Sequence, residues 1–321
     1  MMSRNNSADR FKSILLVYSS KGMGTLKRAV KMAQDHQAGL AIIDVAGDLD
    51  EFKGLLPPAI SEQDLKKAVS AERRAVIEDQ LHSAGIDIGP LDIHIGFGQP
   101  AVEIIRNVLA FQHDLVIKTA VGGTGISQRL FGNTAIKLLR KCPCPVWIAR
   151  PDSPADLNRI LAAIDPMPTS DQSQHLNRQI LETAAQIARM EDGHLDILHC
   201  WHLPGESMLS SGRTRISASK LAKMRTLAEK VHRHKVVEFV ESMSIEVPSK
   251  KLHILNGDPI GSILAFANRE ASDLIVIGTA DKSAIAGLLM GSTAECIIEK
   301  TQTSLLAFKP EGFISPIKPS Q

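Results

Sequence analysis

The sequence predicts an α/β fold made of two tandem, doubly wound parallel sheets of five strands each. Three observations lead there. Short runs rich in Val, Ile and Leu alternate with longer stretches of helical periodicity. The short runs are apolar throughout, the pattern of parallel strands covered on both faces. The chain also repeats itself. GQPAVEIIRNVLAFQHDLVIKTAVGGTGISQRLFGNTAIKLLRKCPCPVWIA, from Gly98, reads like GDPIGSILAFANREASDLIVIGTADKSAIAGLLMGSTAECIIEKTQTSLLAF, from Gly257. Gly98 and Gly257, Asp114 and Asp273, and Gly132 and Gly291 are each 159 positions apart. Upstream, SILLVYSS (13–20) echoes RILAAIDP (159–166) at an offset of 146, so thirteen extra residues lie in the second copy before Gly257. A repeat of this length is a whole-domain copy rather than a solenoid unit.

The elements follow in order. In the first copy ILLVY is a strand, and TLKRAVKMAQDHQ is a helix with Leu26, Val30 and Ala33 at helical spacing. LAIIDV is the second strand. The next helix opens at Ser61 with Asp64 three residues on, a capping-box start, and stops at Gly85. DIHI, DLVIK and PVWIA are the remaining strands. Between them a helix follows Gln99-Pro100, proline being suited to a first turn, and another follows Gly132-Asn133-Thr134. The second copy gives RILAAI, a helix near 172–191, HLDILHC, a helix near 216–243, KLHIL, a helix from Asp258, DLIVI, a helix from Gly291-Ser292-Thr293, and SLLAF. ARPDSPADLN (149–158), with two prolines, is the linker. The expected domains are 11–150 and 158–309, with flexible tails at 1–10 and 310–321.

Composition excludes several functional classes. With 37 basic and 35 acidic residues, the net charge of +2 makes no case for a nucleic-acid or membrane-surface partner. Aromatic residues, at 4%, offer few platforms for stacking bases. Four cysteines among 321 residues suit a reducing compartment. The polar start MMSRNNSADR has no apolar segment behind it, and no apolar run approaches the ~18 residues of a membrane span. A cytoplasmic location is expected. Neither Gly-x-Ser-x-Gly nor Gly-x-x-x-x-Gly-Lys-Ser/Thr occurs, so common acyl- and phosphoryl-transfer signatures are missing.

Both copies carry Gly-x-Pro before a helix, and Asp-Leu before an apolar strand that leads to a glycine-containing loop. The loop closes on Gly-Asn or Gly-Ser. Ala163-Ile164-Asp165-Pro166 ends a first strand, and Cys144-Pro145-Val146 leads into a last one. Taken together, these features resemble the universal stress protein family, in its tandem two-domain form, over nearly the whole chain. The resemblance implies a Rossmann-like fold of the adenine nucleotide alpha hydrolase type. In ATP-binding members it implies Gly-x-x-Gly, nine residues, then Gly followed by Ser, Thr or Asn, over a helix N-terminus. It also implies an aspartate at the end of strand 1 toward the ribose and adenine, and a small apolar residue at the end of strand 2. Glycines and free amides at a helix N-terminus do suit an anion.

Each copy departs from that pattern at a different end. Copy one keeps Gly122, Gly132, Asn133 and Thr134, and Val45 suits the base position. It has Thr119 for the first glycine and Ser19 for the aspartate. Copy two keeps Asp165, Gly278 (with Thr279 and Ala280 beside it), Gly291, Ser292 and Thr293. It has Cys200 at the base position and Asp281 for the second glycine. A like charge at 4 Å costs about 4 kcal/mol at an effective dielectric near 20, roughly a thousandfold in affinity. A magnesium ion bridging Asp281 to phosphate would reverse that sign. Tight ATP binding is therefore expected in neither copy, and copy two is the better candidate for a weaker or different ligand, an adenine nucleotide or a nucleoside without a triphosphate.

Other clusters read as structural. In His199-Cys200-Trp201-His202, strand alternation pairs His199 with Trp201 and Cys200 with His202, too few ligands per face for a metal. Cys142-Pro143-Cys144 reads as the lead-in to a strand, and His232-Arg233-His234-Lys235 as a solvated helix face. The loop HLPGESMLSSGRTR (202–215) either covers an apolar ligand with Met208 and Leu209 or is disordered. The apolar last strands, 145–149 and 304–308, are expected to pair within the chain as a pseudo-twofold dimer, burying Trp147 and Phe308; further self-association as a homodimer is left open.

By analogy with the family, the expected function is a non-enzymatic stress-response binding or signalling module, with no catalytic residues. One rival is a nucleotide switch with weak ATPase activity through Asp165, Gly278, Gly291 and Ser292. Another is a carrier of a small amphipathic molecule in the copy-two crevice.

Overall fold

Residues 11–49, 61–86, 91–120, 132–154, 156–167, 170–211, 216–279 and 291–319 are described by the computed structural model. The chain divides into two compact units at 155–156, and the residues from Ile314 onward group with the first.

In the first unit the strands are β1 (Ser13–Val17), β2 (Gly39–Ala46), β3 (Asp92–Phe97), β4 (Leu115–Thr119) and β5 (Val146–Ala149). They stand side by side in the order β3-β2-β1-β4-β5, with the pairs from β3 to β5 all parallel. Helices α1 (Met23–His36), α2 (Glu62–Ser83), α3 (Pro100–Phe111) and α4 (Gly132–Lys141) connect them. In the second unit β6 (Arg159–Ala163), β7 (His194–Trp201), β8 (Leu252–Asn256), β9 (Leu274–Gly278) and β10 (Ser304–Phe308) repeat the arrangement as β8-β7-β6-β9-β10, again parallel. Its helices are α5 (Asp171–Met190), α6 (Glu206–Ser211), α7 (Ala218–Ser242), α8 (Pro259–Arg269) and α9 (Ser292–Lys300).

Local chemistry explains the boundaries. The Ser61 hydroxyl accepts from the Asp64 amide and the Asp64 carboxylate accepts from the Ser61 amide, the reciprocal cap that the sequence announced. Pro100 and Pro259 open α3 and α8 where a missing N–H costs nothing. The central strands are buried as continuous apolar runs require, β4 and β10 at every position, whereas the outer strands β3 and β8 are mostly half-buried. Trp147 and Phe308 are both buried. On α1, Ala29 rather than Val30 supplies the fully buried position between Leu26 and Ala33.

The repeated Asp-Leu motif has a backbone role. Asp114 accepts from the amides of Lys12 and Ser13 at 2.7 and 3.0 Å. Asp273 accepts from those of Asn158 and Arg159 at 2.8 and 2.9 Å. In each unit one carboxylate thus accepts from two successive amides and fastens the start of the first strand to the start of the fourth.

One expectation is corrected. The stretch 202–215 is not a featureless loop: residues 206–211 form α6, whose Glu206 pairs with Arg225 on α7. The ion pair and the turn at Gly205, where φ is +69°, supply the start that the composition did not advertise.

Candidate functional site

Strand order reverses between β1 and β4 in the first unit and between β6 and β9 in the second. In such sheets ligands bind beyond the strand carboxyl ends at that switch point.

In the first unit the switch point is filled by the protein's own side chains. The crevice left there, lined by Tyr18, Ser19, Gly22, Gln80 and Thr119 among others, encloses about 10 Å³, room for a water and far below a ligand pocket. Tyr18 donates to the Gln80 side chain at 2.5 Å, tying the end of β1 to α2. Thr119 is buried, and a Cβ on Gly22 would lie 2.4 Å from its Oγ1. Gly22 is therefore glycine because Thr119 stands where the family pattern has a glycine. Beside it Lys118 is buried too, its Nζ donating to the Thr119 carbonyl at 3.1 Å, and burial holds its pKa below the usual lysine range. At the start of α4, Gly132 has φ +69°, an angle that favours glycine. Asn133 and Thr134 follow it in the first turn, where no acidic residue sits. Gly122 lies outside the described residues.

The second unit is built differently at the same positions. Asp165 follows β6 with its side chain one-third exposed, its amide and carbonyl both held by the Asn177 side chain. Gly278 ends β9, and a Cβ there would lie 2.6 Å from Cδ2 of Leu176 and 3.2 Å from Cδ1 of Ile180, both on α5. Its missing side chain is thus explained by helix packing. Thr279 is buried and spends both its amide and its hydroxyl on the Phe308 carbonyl, at 2.9 and 3.1 Å. The Gly291 amide is bonded to the Thr279 carbonyl at 3.0 Å. Ser292 and Thr293 stand in the first turn of α9, but so does the carboxylate of Glu295, which opposes an anion at the helix's positive end. Ala280 and Asp281 lie outside the described residues.

Cys200 turns toward α8. It hydrogen-bonds Ser262, and burial pushes its thiol up to about 11, with the nearby Asp258 adding to the rise. At neutral pH it is an uncharged, small, largely apolar group, so it does what an apolar residue at the end of strand 2 would do. His199 and Trp201 face the other way, as the alternation predicted. The Nδ1–H of His199 donates to the Ile164 carbonyl at 3.2 Å, so its Nε2 meets Nδ1 of His232 at 2.8 Å across a single shared proton. Trp201 stacks on His232 with 5.1 Å between centroids, and Asp165 Oδ1 lies 3.9 Å from His199 Nδ1. His232 is thus not part of a solvated face, whereas His234 is, paired with Glu238. The first unit makes the corresponding tie between strand 2 and the long helix with Arg73 and Asp44, 2.6 Å apart. Among the described residues no group of three or more His, Cys, Asp or Glu side chains is arranged to hold a metal.

Among the described residues, the first unit has no carboxylate at Ser19 to meet a nucleoside, whereas the second has the accessible Asp165 at the end of its first strand and, in the first turn of α9, Glu295 beside a Gly291 amide bonded to Thr279.

The comparisons with known proteins agree with this architecture. The model of the universal stress protein family matches twice, over residues 10–150 and 157–309. Universal stress protein E of Photorhabdus laumondii is 25% identical over 323 aligned positions, covering 96% of this chain and 98% of that protein. Two solved structures show the same fold over both units. One, a functionally unknown protein of Pseudomonas aeruginosa PAO1, is 20% identical with a TM-score of 0.69 and 95% of each chain covered. The other, a universal stress protein of Archaeoglobus fulgidus, is 19% identical with a TM-score of 0.60, covering 94% of this chain and 99% of that one. Among the described residues no helix is long and apolar enough to cross a membrane. Two matched domains, in two units that repeat one strand order, place this chain in the universal stress protein family as a tandem member.

Proposed function

We propose that this protein serves the stress response as a non-catalytic binding or signalling module in which the two ancestral nucleotide sites are degenerate at opposite ends. Family membership supports the role in stress response. The observation that carries the finer reading is the filled switch point of the first unit, where Thr119 stands against Gly22 and Tyr18 bridges to Gln80. In the second unit, Asp165, Gly278, Thr279, Gly291, Ser292 and Thr293 keep the family's positions. Packing against Leu176 accounts for Gly278, however, and bonds to the backbone account for Thr279 and Gly291. Denaturing the purified protein and analysing the released small molecules by mass tests this. No adenine nucleotide is expected in the extract, and recovery of one nucleotide per unit would overturn the reading.

The same reading has the two units pair through 145–149 and 304–308. Each segment is the last strand of its own sheet, apolar enough to be a hazard if left as a bare edge. Small-angle scattering of the whole chain is expected to show one compact particle; two independently tumbling bodies would exclude the pairing.

A further inference from the structure

The near-neutral charge of the whole chain conceals a local departure on α7. From Lys220 to Lys235 the helix carries six basic residues and one acidic, Glu229, a net +5 in a chain whose total is +2. This helix is held to its unit by few residues: only Leu221, Val236 and Val240 are buried. Its outward face carries Met224, Leu227 and Val231, which are 37%, 66% and 44% exposed.

Helical geometry puts charge and apolar surface together. At ~100° per residue, Met224, Leu227 and Val231 fall within about 60° of one another, and Lys220, Lys223 and Lys230 within about 60° of Leu227. Of the buried residues of α7, Val236 and Val240 lie on the opposite side and Leu221 on the flank. The three lysines are exposed, and among the described residues no ion pair engages them. Arg225, Arg233 and Lys235, by contrast, pair with Glu206, Glu229 and Glu238. The acidic residues of the outward face, Glu238 and Glu241, come only in the last turns.

We propose that this face of α7 docks on an anionic phospholipid surface. A bilayer supplies both halves of the match: headgroup charge for the lysine ammoniums, and an apolar layer into which Met224, Leu227 and Val231 reach while the lysine stems lie alongside. Three lysines and three apolar side chains give weak, reversible association, each lysine contributing about fivefold.

Flotation of the full chain with vesicles tests it. With equimolar phosphatidylglycerol and phosphatidylcholine the protein is expected to float with the vesicles, progressively less as salt is raised, and not with phosphatidylcholine alone. Replacing Lys220, Lys223 and Lys230 together by Gln is expected to weaken association about a hundredfold. Leu227→Ser should weaken it about tenfold. All four positions are exposed, so circular dichroism of both variants should match the parent. Absence of binding to the anionic vesicles, or binding indifferent to the lysines, overturns the proposal. So does equal capture by polyglutamate that Leu227→Ser leaves unchanged, an outcome that would assign an acidic protein partner instead.

Discussion

Replacing Asp196 by alanine is expected to destabilise the second unit by about 3 kcal/mol. Asp196 lies on β7 with 6% of its side chain exposed, and its two oxygens take Lys251 at 3.0 Å and His253 at 2.8 Å. The acceptors tie β7 to β8 and the turn before it, at the edge of the sheet where no further strand assists. Removing the carboxylate strands two cationic or polar groups in a half-dry site and deletes two charge-assisted hydrogen bonds. The lower end of the usual range of about 3–5 kcal/mol applies because Lys251 and His253 are about a quarter exposed and can be rehydrated in part. For a unit of this size the midpoint of its thermal unfolding should fall by about 6–12 °C. Glu62→Ala is the control. It breaks the Glu62–Lys66 pair, which is 43% exposed on both sides, and should change stability by no more than about 0.5 kcal/mol. Equal effects for the two substitutions would refute the assignment to burial.

The second large effect concerns the glycine that most resembles a phosphate-loop residue. Gly278→Ala is expected to cost about 1–3 kcal/mol, because the new methyl would stand 2.6 Å from Cδ2 and 3.0 Å from Cγ of Leu176. Leu176 and Ile180 are themselves buried on α5, so neither can swing into solvent. The helix must move or the side chains must leave their rotamers. Leu176→Ala alone should cost about 2–5 kcal/mol through the cavity it opens. Combined, the two changes are expected to cost no more than Leu176→Ala alone, since the added methyl then occupies vacated space. Strict additivity in urea unfolding would mean that Gly278 is not held by this contact. The first unit solves the same spatial problem in reverse: Thr119 brings the side chain and Gly22 yields the room.

That reversal also marks what the sequence could and could not disclose. The strands, the parallel order and the repeat were legible because burial on both faces imprints continuous apolar runs, and because duplicated positions such as Asp114 and Asp273 keep one spacing. Ser61 with Asp64, and Pro100 with Pro259, declared their helices through local chemistry alone. The site was legible only as positions. Gly278 and Gly291 matched a phosphate pattern in one dimension. The reasons for glycine at 278 and for the bonded amide at 291 are contacts with Leu176 and Thr279, and no spacing rule reaches those. His232 was misjudged for a similar reason. A basic tetrapeptide on a helix reads as solvated, and only the fold shows that one of its four side chains turns inward onto Trp201 and His199. In α6, a six-residue helix anchored by Glu206 and Arg225 is too short for periodicity to reveal.

On the reading proposed above, both nucleotide sites are degenerate, the first at its nucleoside end and the second at its phosphate end. Calorimetric titration of the whole chain with ATP, with and without magnesium, tests it most directly. No sub-micromolar binding is predicted under either condition; sub-micromolar binding at two sites per chain would contradict the account.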